Sequence, residues 1–369
     1  MNKIALYIPR PGATARMIQR GYVDALRYLG WKVYVCDPKT KLGCRKLIEE
    51  YGVRLIMTSS KYGVRQLPIR VINDNQVTAF LDALPLNPRN LTIDEPYEFA
   101  HEDEPHTVKD IDSVVVHTHL EKHLWPEYMC DWNHNDIDVL FLPVAGNMVD
   151  ALPPTCSILT DVAMVANFNH RHDIMRYLIE PLFKRLDLLG YSYQAFGDNI
   201  WELAGLNYNG PLVGNCSRLA HIYATAKVCP NVHTERQIGL QAHVNERSFM
   251  IPLCGGVQIS DNPLISRYLE GHCTVATSTT DFMNKVIGLV DDRQRGFEKI
   301  RSSIEHVANN HTYFNRLVDL FRVAGLHDQA ICAQNKGRGA AVRHCWEMDA
   351  RLIAAERGVE YEHKVIGTP

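Results

Sequence analysis

The chain has 369 residues, which at roughly 150 residues per domain is room for about two domains, each large enough to hold its own core. Apolar residues make up 46% and charged residues 22%, a globular balance that excludes a disordered chain, a coiled coil and a collagen. Lysine and arginine total 39 and aspartate and glutamate 42, a net charge of −3, so a chain-wide basic footprint for nucleic acid is absent while a local basic patch remains compatible.

The first half alternates strands and helices. Ile4–Ile8 is a continuous apolar run, the pattern of a strand buried on both faces, and it ends in the turn Pro9–Thr14. Met17, Tyr22, Ala25, Leu26 and Leu29 then mark one face of a helix stopped by Gly30. Strands are expected at Trp31–Cys36 and Arg54–Thr58, with an amphipathic helix at Lys41–Tyr51 between them. Ile69–Ile72 reads as a further strand, residues 76–112 as an irregular excursion, and Ser113–His117 and Val139–Pro143 as later strands. Short strand–helix connections of this kind argue for a parallel sheet.

A second alternation starts after Pro153-Pro154. Asp161–Asn167 reads as a buried strand, Asp173–Leu189 as a long helix capped by Gly190, and Tyr191–Phe196 as the next strand. The pattern repeats through strands at Val228–Val232, Val257–Ser260 and Thr274–Ala276. It closes on helices at Asp281–Val290, Arg293–Ala308 and Tyr313–Ala324. Asn335–Gly339 reads as a flexible basic hinge before a last helix at Ala341–Arg357.

No apolar stretch approaches the ~20 residues needed to cross a bilayer, and the N-terminal apolar run is too short for a signal segment. The ten cysteines contain no C-x-x-C pair and read as reduced thiols. A cytoplasmic protein without a membrane span is therefore expected.

The segment richest in chemistry is Asn245–Asp261: a short helix, the pair Gly255-Gly256, then a buried strand. Glycines permit close backbone approach to a ligand, and Arg247 near the helix start carries a planar fork suited to a pyrophosphate. The same pattern also describes a helix end and turn with a surface arginine. In this stretch Asn245, Arg247, Phe249, Cys254, Gly255 and Gly256 match the pattern N-x-R-x-F-E-x-x-A-C-G-G. It thereby resembles the donor-binding segment of GT-B nucleotide-sugar glycosyltransferases, nearest the CgeB-like, group-1-type branch. Ile222–His233 upstream, His311-Thr312-Tyr313 downstream, and Asp161–Asn167 with Asn169 resemble neighbouring parts of the family pattern, so the resemblance covers about residues 155–325.

The resemblance implies an α/β fold of two Rossmann-like domains facing a central cleft. An acceptor-side domain would span residues 1–150 and a nucleotide-sugar domain 151–330. A helical tail at 331–369 would cross back to the first. It implies a glycosyltransferase that takes its sugar from a nucleotide-diphosphate donor, a UDP-sugar, with no further cofactor and no metal. Donor-binding residues would be Gly12, Asn167, Asn245, Arg247, Phe249, Gly255 and Gly256, with Arg247 also stabilising the leaving diphosphate. The acceptor is left open among a saccharide, a protein and a modified base of viral DNA. One departure stands out: the family glutamate that commonly holds the donor ribose is Met250 here, and the glutamate eight residues earlier is Ala242. A thioether accepts hydrogen bonds only weakly. A protein that binds nucleotide sugar without catalysis, or scaffolds a complex, is the rival reading.

Val116–Glu121 follows a buried strand, so its histidines lie near a carboxyl edge. His119, the further past the strand, is the candidate general base; orienting the transferred sugar and an ordinary polar strand end are the alternatives. Asp74 in Asn73–Asn75 reads as turn chemistry. Asp110-Ile111-Asp112 and Asp136-Ile137-Asp138 read as strand-entry charges, and no histidine spacing reproduces a zinc site.

Overall fold

The structure, a computed structural model, describes residues 3–8, 13–36, 41–59, 68–82, 111–119, 138–167, 172–197, 201, 207–212, 216–240, 243–269 and 271–361. The chain divides into two compact units, Met1–Asn147 with Tyr313–Gly337 and Met148–Thr312 with Arg338–Pro369.

The first unit runs β1 (Ile4–Tyr7), α1 (Ala13–Tyr28), β2 (Lys32–Val35), α2 (Lys41–Tyr51), β3 (Leu55–Ser59), α3 (Ile69–Asp74), β4 (Thr78–Asp82), β5 (Val114–Thr118) and β6 (Val139–Phe141). The strands form one sheet in the order β2-β1-β3-β4-β5-β6, and every pairing is parallel. Leu6, Ile56, Phe80 and Leu81 are fully buried, with side chains on both faces of the sheet. The expected strand at Ile69–Ile72 is instead helix α3, whose Ile69, Val71 and Ile72 are buried. A four-residue run with three apolar side chains does not by itself distinguish a strand from one buried helical turn. The strand lies just beyond, at β4, inside the stretch read as an excursion, after Gln76 turns the chain with a φ of 52°.

The second unit runs β7 (Thr160–Ala166), a short helical turn His172–Ile174, a π-helical turn Met175–Ile179, and α4 (Glu180–Leu189). It continues with β8 (Tyr193–Gly197), α5 (Cys216–Ala224), β9 (Ala226–Asn231), α6 (Glu235–Leu240), α7 (Arg247–Leu253), β10 (Gln258–Ser260), α8 (Ile265–Leu269) and β11 (Thr274–Val275). Helices α9 (Thr279–Asp291) and α10 (Arg293–Asn310) follow. The sheet order is β11-β10-β9-β7-β8, again with all pairs parallel. Pro181 accounts for the π turn: it has no N–H to give Tyr177 and its ring crowds that carbonyl, so the helix widens just before it. The core joins Val162, Met164, Leu182, Phe183, Val228, Ile259 and Phe282.

Helix α11 (Tyr313–Val323) returns to the first unit, and α12 (His327–Arg357) runs 31 residues without a break. The segment that rejoins the first unit is thus Tyr313–Gly337, earlier in the chain than the expected tail at 331. Trp31 stacks on Phe321, Tyr22 meets Tyr313 edge-on, and Arg316 Nε donates to Pro143 O at 2.7 Å. The hinge expected at Asn335–Gly339 is helical. Gly337 is there for packing: a Cβ on it would lie 2.9 Å from Phe314 Cβ.

Candidate functional site

In a doubly wound parallel sheet the ligand crevice lies at the carboxyl ends of the strands, where the strand order reverses. In the second unit the chain passes from β7 to β8 on one side and resumes with β9 on the other, so the reversal lies between β7 and β9. Arg247, the first residue of α7, occupies that point. Its guanidinium donates to Val165 O near the end of β7 and, at 2.6 Å, to Val232 O just past β9. The remaining guanidinium N–H groups have no partner among the described residues. Burial pushes its pKa down, while Asp261 and Tyr223 act in the opposite sense.

Asn245 closes the first turn of α7. Its Oδ1 accepts from Ser248 N at 3.2 Å and Ser248 Oγ at 3.3 Å, and its Nδ2 donates to Asn231 Oδ1 at 2.9 Å. Asn231 and Ser248 are fully buried, and Asn231 Nδ2 reaches Ser248 Oγ and Gln258 Oε1 at 3.1 and 3.2 Å. A satisfied network of this kind fixes the ends of β9 and β10 against α7. Two backbone amides in the first turn of α7 are already used within the protein: Ser248 N bonds Asn245, and Phe249 N bonds Glu246 O at 3.0 Å. Asn167 is exposed one residue past β7, two residues from Val165.

Phe249, Gly255 and Gly256 depart from the expected donor contacts. Phe249 is fully buried, with its ring stacked on His311 at 5.0 Å and edge-on to Tyr268, so it supports α7 from within and offers a ligand no surface. Gly255 and Gly256 precede β10, at the edge of the sheet opposite Arg247, and both are buried. The protein itself accounts for both: Gly255 has a φ of 81°, where a side chain is strained, and Gly256 is hemmed in by backbone. A Cβ on Gly255 would lie 2.7 Å from Met348 Cε, and one on Gly256 would lie 2.8 Å from Ile251 Cγ2 and 3.0 Å from Tyr223 O. Gly12, Asn169 and Ala242 lie outside the described residues. Met250 is 2% exposed and belongs to the interior of the unit.

The first unit has its reversal between β1 and β3. Along the same carboxyl edge, His119 follows β5 and Asp82 ends the adjacent β4. His119 Nδ1 is 3.9 Å from Asp82 Oδ1, with side chains 15% and 23% exposed. That is ion-pair range for a protonated imidazole and too long for a hydrogen bond. His117, two residues earlier, is buried near the Tyr22 ring, and burial pushes its pKa down to about 3. Tyr7 at the end of β1 is raised well above the usual phenol range by burial and by the Asp82 charge.

Sequence reasoning passed over Asp82, His233, Asn231 and Asp261. The signal for Asp82 was the largely apolar stretch Val77–Leu81 directly before it, and for Asp261 its place after the buried run Val257–Ser260. Among the described residues no group of three or more His, Cys, Asp or Glu is placed to hold a metal ion, and no helix is long and apolar enough to cross a membrane.

Residues 171–322 match a family model described as glycosyl transferase-like. No curated protein matches the chain by sequence. Among solved structures, the chain resembles an alpha-glucosyltransferase in complex with UDP-glucose and DNA containing an abasic site. The TM-score is 0.60 at 10% identity, over 87% of this chain and 99% of that one. It also resembles T4 phage BGT in complex with its UDP-glucose substrate, with a TM-score of 0.53 at 9% identity, over 94% of this chain and 99% of that one. The fold is that of GT-B glycosyltransferases, α/β with two parallel-sheet domains.

Proposed function

We propose that this chain, with its GT-B fold and a glycosyl transferase-like segment, moves a sugar from a uridine diphosphate donor to an acceptor hydroxyl. The observation that carries this reading is Arg247, held by carbonyls from both strands at the point where the sheet reverses. A guanidinium fixed there offers preorganised charge to a departing diphosphate, which is where negative charge grows as the glycosidic bond breaks. Asn167 and Asn245 are the flanking polar groups on the donor side. On the acceptor side His119 takes the proton of the attacking hydroxyl, and Asp82 stabilises the imidazolium that results.

The test is a thermal-shift titration with UDP and UDP-glucose. A ligand at 100 times its Kd adds about 2.7 kcal/mol of stability, a plainly visible shift. Equal nucleotide affinity in wild type and Arg247→Ala would overturn the reading.

A second reading makes the acceptor a modified base in DNA. The likeness to an alpha-glucosyltransferase solved with UDP-glucose and DNA favours it. Binding of a short duplex that weakens steeply with salt supports that acceptor, and no binding at low salt removes it.

A further inference from the structure

The peptide unit between Val232 and His233 is bonded at both ends. Its carbonyl accepts from Arg247 at 2.6 Å. Its N–H donates to both oxygens of Asp261, at 3.1 and 3.0 Å. The ring of His233 reaches the same carboxylate, Nδ1 to Oδ1 at 2.7 Å. His233 has no solvent exposure and the Asp261 side chain is 12% exposed, so this is an interior arrangement beneath the switch point. Thr234 follows at once and exchanges hydrogen bonds with Gln237, Gln237 N to Thr234 Oγ1 at 3.2 Å and Thr234 N to Gln237 Oε1 at 3.0 Å. That capping box pins the chain on the far side of His233.

We propose that Asp261 and His233 are positioning residues that set Arg247 for the donor diphosphate, acting through the Val232–His233 peptide. This rests on the reading of Arg247 given above. A carboxylate drawing on the peptide N–H polarises the carbonyl at the other end, and bonds in such a chain strengthen one another. The carbonyl becomes a better acceptor for the guanidinium and holds it in one orientation. The carboxylate also supplies a nearby negative charge that opposes the cost of burying Arg247. The His233 ring keeps Asp261 in the rotamer that receives the peptide N–H. His233 itself is too deeply buried to touch a ligand.

The experiment compares Kd for UDP and for uridine in wild type, Asp261→Asn, His233→Ala and His233→Asn, each alone and combined with Arg247→Gln. Asparagine at 233 retains an N–H where Nδ1 now donates, so it is the conservative rescue. Asp261→Asn and His233→Ala are expected to weaken UDP about tenfold, leave uridine unchanged, and add nothing in the Arg247→Gln background. His233→Asn is expected to restore most of the UDP affinity. Equal losses for UDP and uridine, or effects that add to Arg247→Gln, overturn the proposal. The side-chain NMR signals of Arg247 in the ligand-free protein give a second readout. They should be sharp in wild type and His233→Asn and broadened in the other two variants; identical signals in all four overturn the proposal whatever the nucleotide does. A wild-type protein that binds neither UDP nor uridine removes the proposed function instead, and the NMR comparison still decides the coupling.

Discussion

Asp82 and His119 stand 3.9 Å apart at the carboxyl ends of two neighbouring parallel strands, although 37 positions separate them in the chain. Strand register creates this proximity: Asp82 pairs with His117, which leaves His119 just beyond the sheet edge. A carboxylate at this distance gains most when the imidazole becomes charged, which is what a general base requires at the moment it takes a proton.

His119→Ala is therefore expected to lower kcat by about 10²–10⁴-fold. Asp82→Asn should cost less, because the base remains and only its counter-charge is lost. Neither change should alter UDP affinity, since both residues belong to the first unit. Single-turnover kinetics with saturating donor reads this directly. Wild-type turnover by the His119→Ala enzyme would sink the assignment.

Arg247→Lys keeps the charge and loses the fork. One ammonium does not reproduce a planar group bonded to two carbonyls from different strands. A buried carbonyl left without a donor costs about 1–3 kcal/mol, so both the denaturation midpoint and UDP affinity should fall. Urea unfolding and calorimetric UDP titration on one preparation test the two effects together. Unchanged values in both measurements would show that the fork is dispensable.

Gly255→Ala separates packing from ligand approach. Gly255 has a φ of 81°, and a Cβ there meets Met348 Cε at 2.7 Å. A side chain in that backbone region and that space should destabilise the fold by about 1–3 kcal/mol. UDP affinity per folded molecule should stay at the wild-type value, because the glycine lies at the far edge of the sheet. Selective loss of nucleotide binding from a fully folded variant would restore a donor-contact role.

Acid stability should follow two buried histidines. Burial lowers His344 to about 4 and His117 to about 3, both from 6.5. Their neutral forms are favoured in the folded state, so the unfolded chain binds more protons below pH 6.5. Stability should be fully present above pH 6.5 and fall as the pH drops through 6 and 5 toward these folded values. His344 Nε2 bonds Leu253 O at 2.8 Å, at the end of the helix that carries Arg247. In His344→Gln, whose amide can still donate to that carbonyl, the urea midpoint should depend less steeply on pH between 6.5 and 4. A slope identical to wild type would exclude His344 as a source of acid sensitivity.

Much of the architecture was legible from local pattern. Continuous apolar runs such as Ile4–Ile8, and alternation with helices, suffice to indicate parallel sheets buried on both faces. The glycosyl transferase-like character was readable from the stretch beginning Asn245-Glu246-Arg247, because the order and spacing of residue types survive in one dimension. Short runs misled: Ile69–Ile72 is one helical turn, and Asn335–Gly339 continues a helix in which Gly337 is small to make room for Phe314.

What the order of residues left open was direction and depth. Asn245, Arg247, Phe249 and Gly255 are near neighbours in sequence, yet α7 carries them from the carboxyl edge of the sheet, through its core, to the opposite edge. Only the tertiary structure assigns the switch point to Arg247 and the interior to Phe249. It also brings Asp261 to His233 and Asp82 to His119, because parallel strands align ends that the chain keeps far apart. The sequence by itself determined most of the elements, since periodicity is local, and failed at the short runs Ile69–Ile72 and Asn335–Gly339, where packing chose the element. Which side chains meet was decided by strand order and register, which are not local.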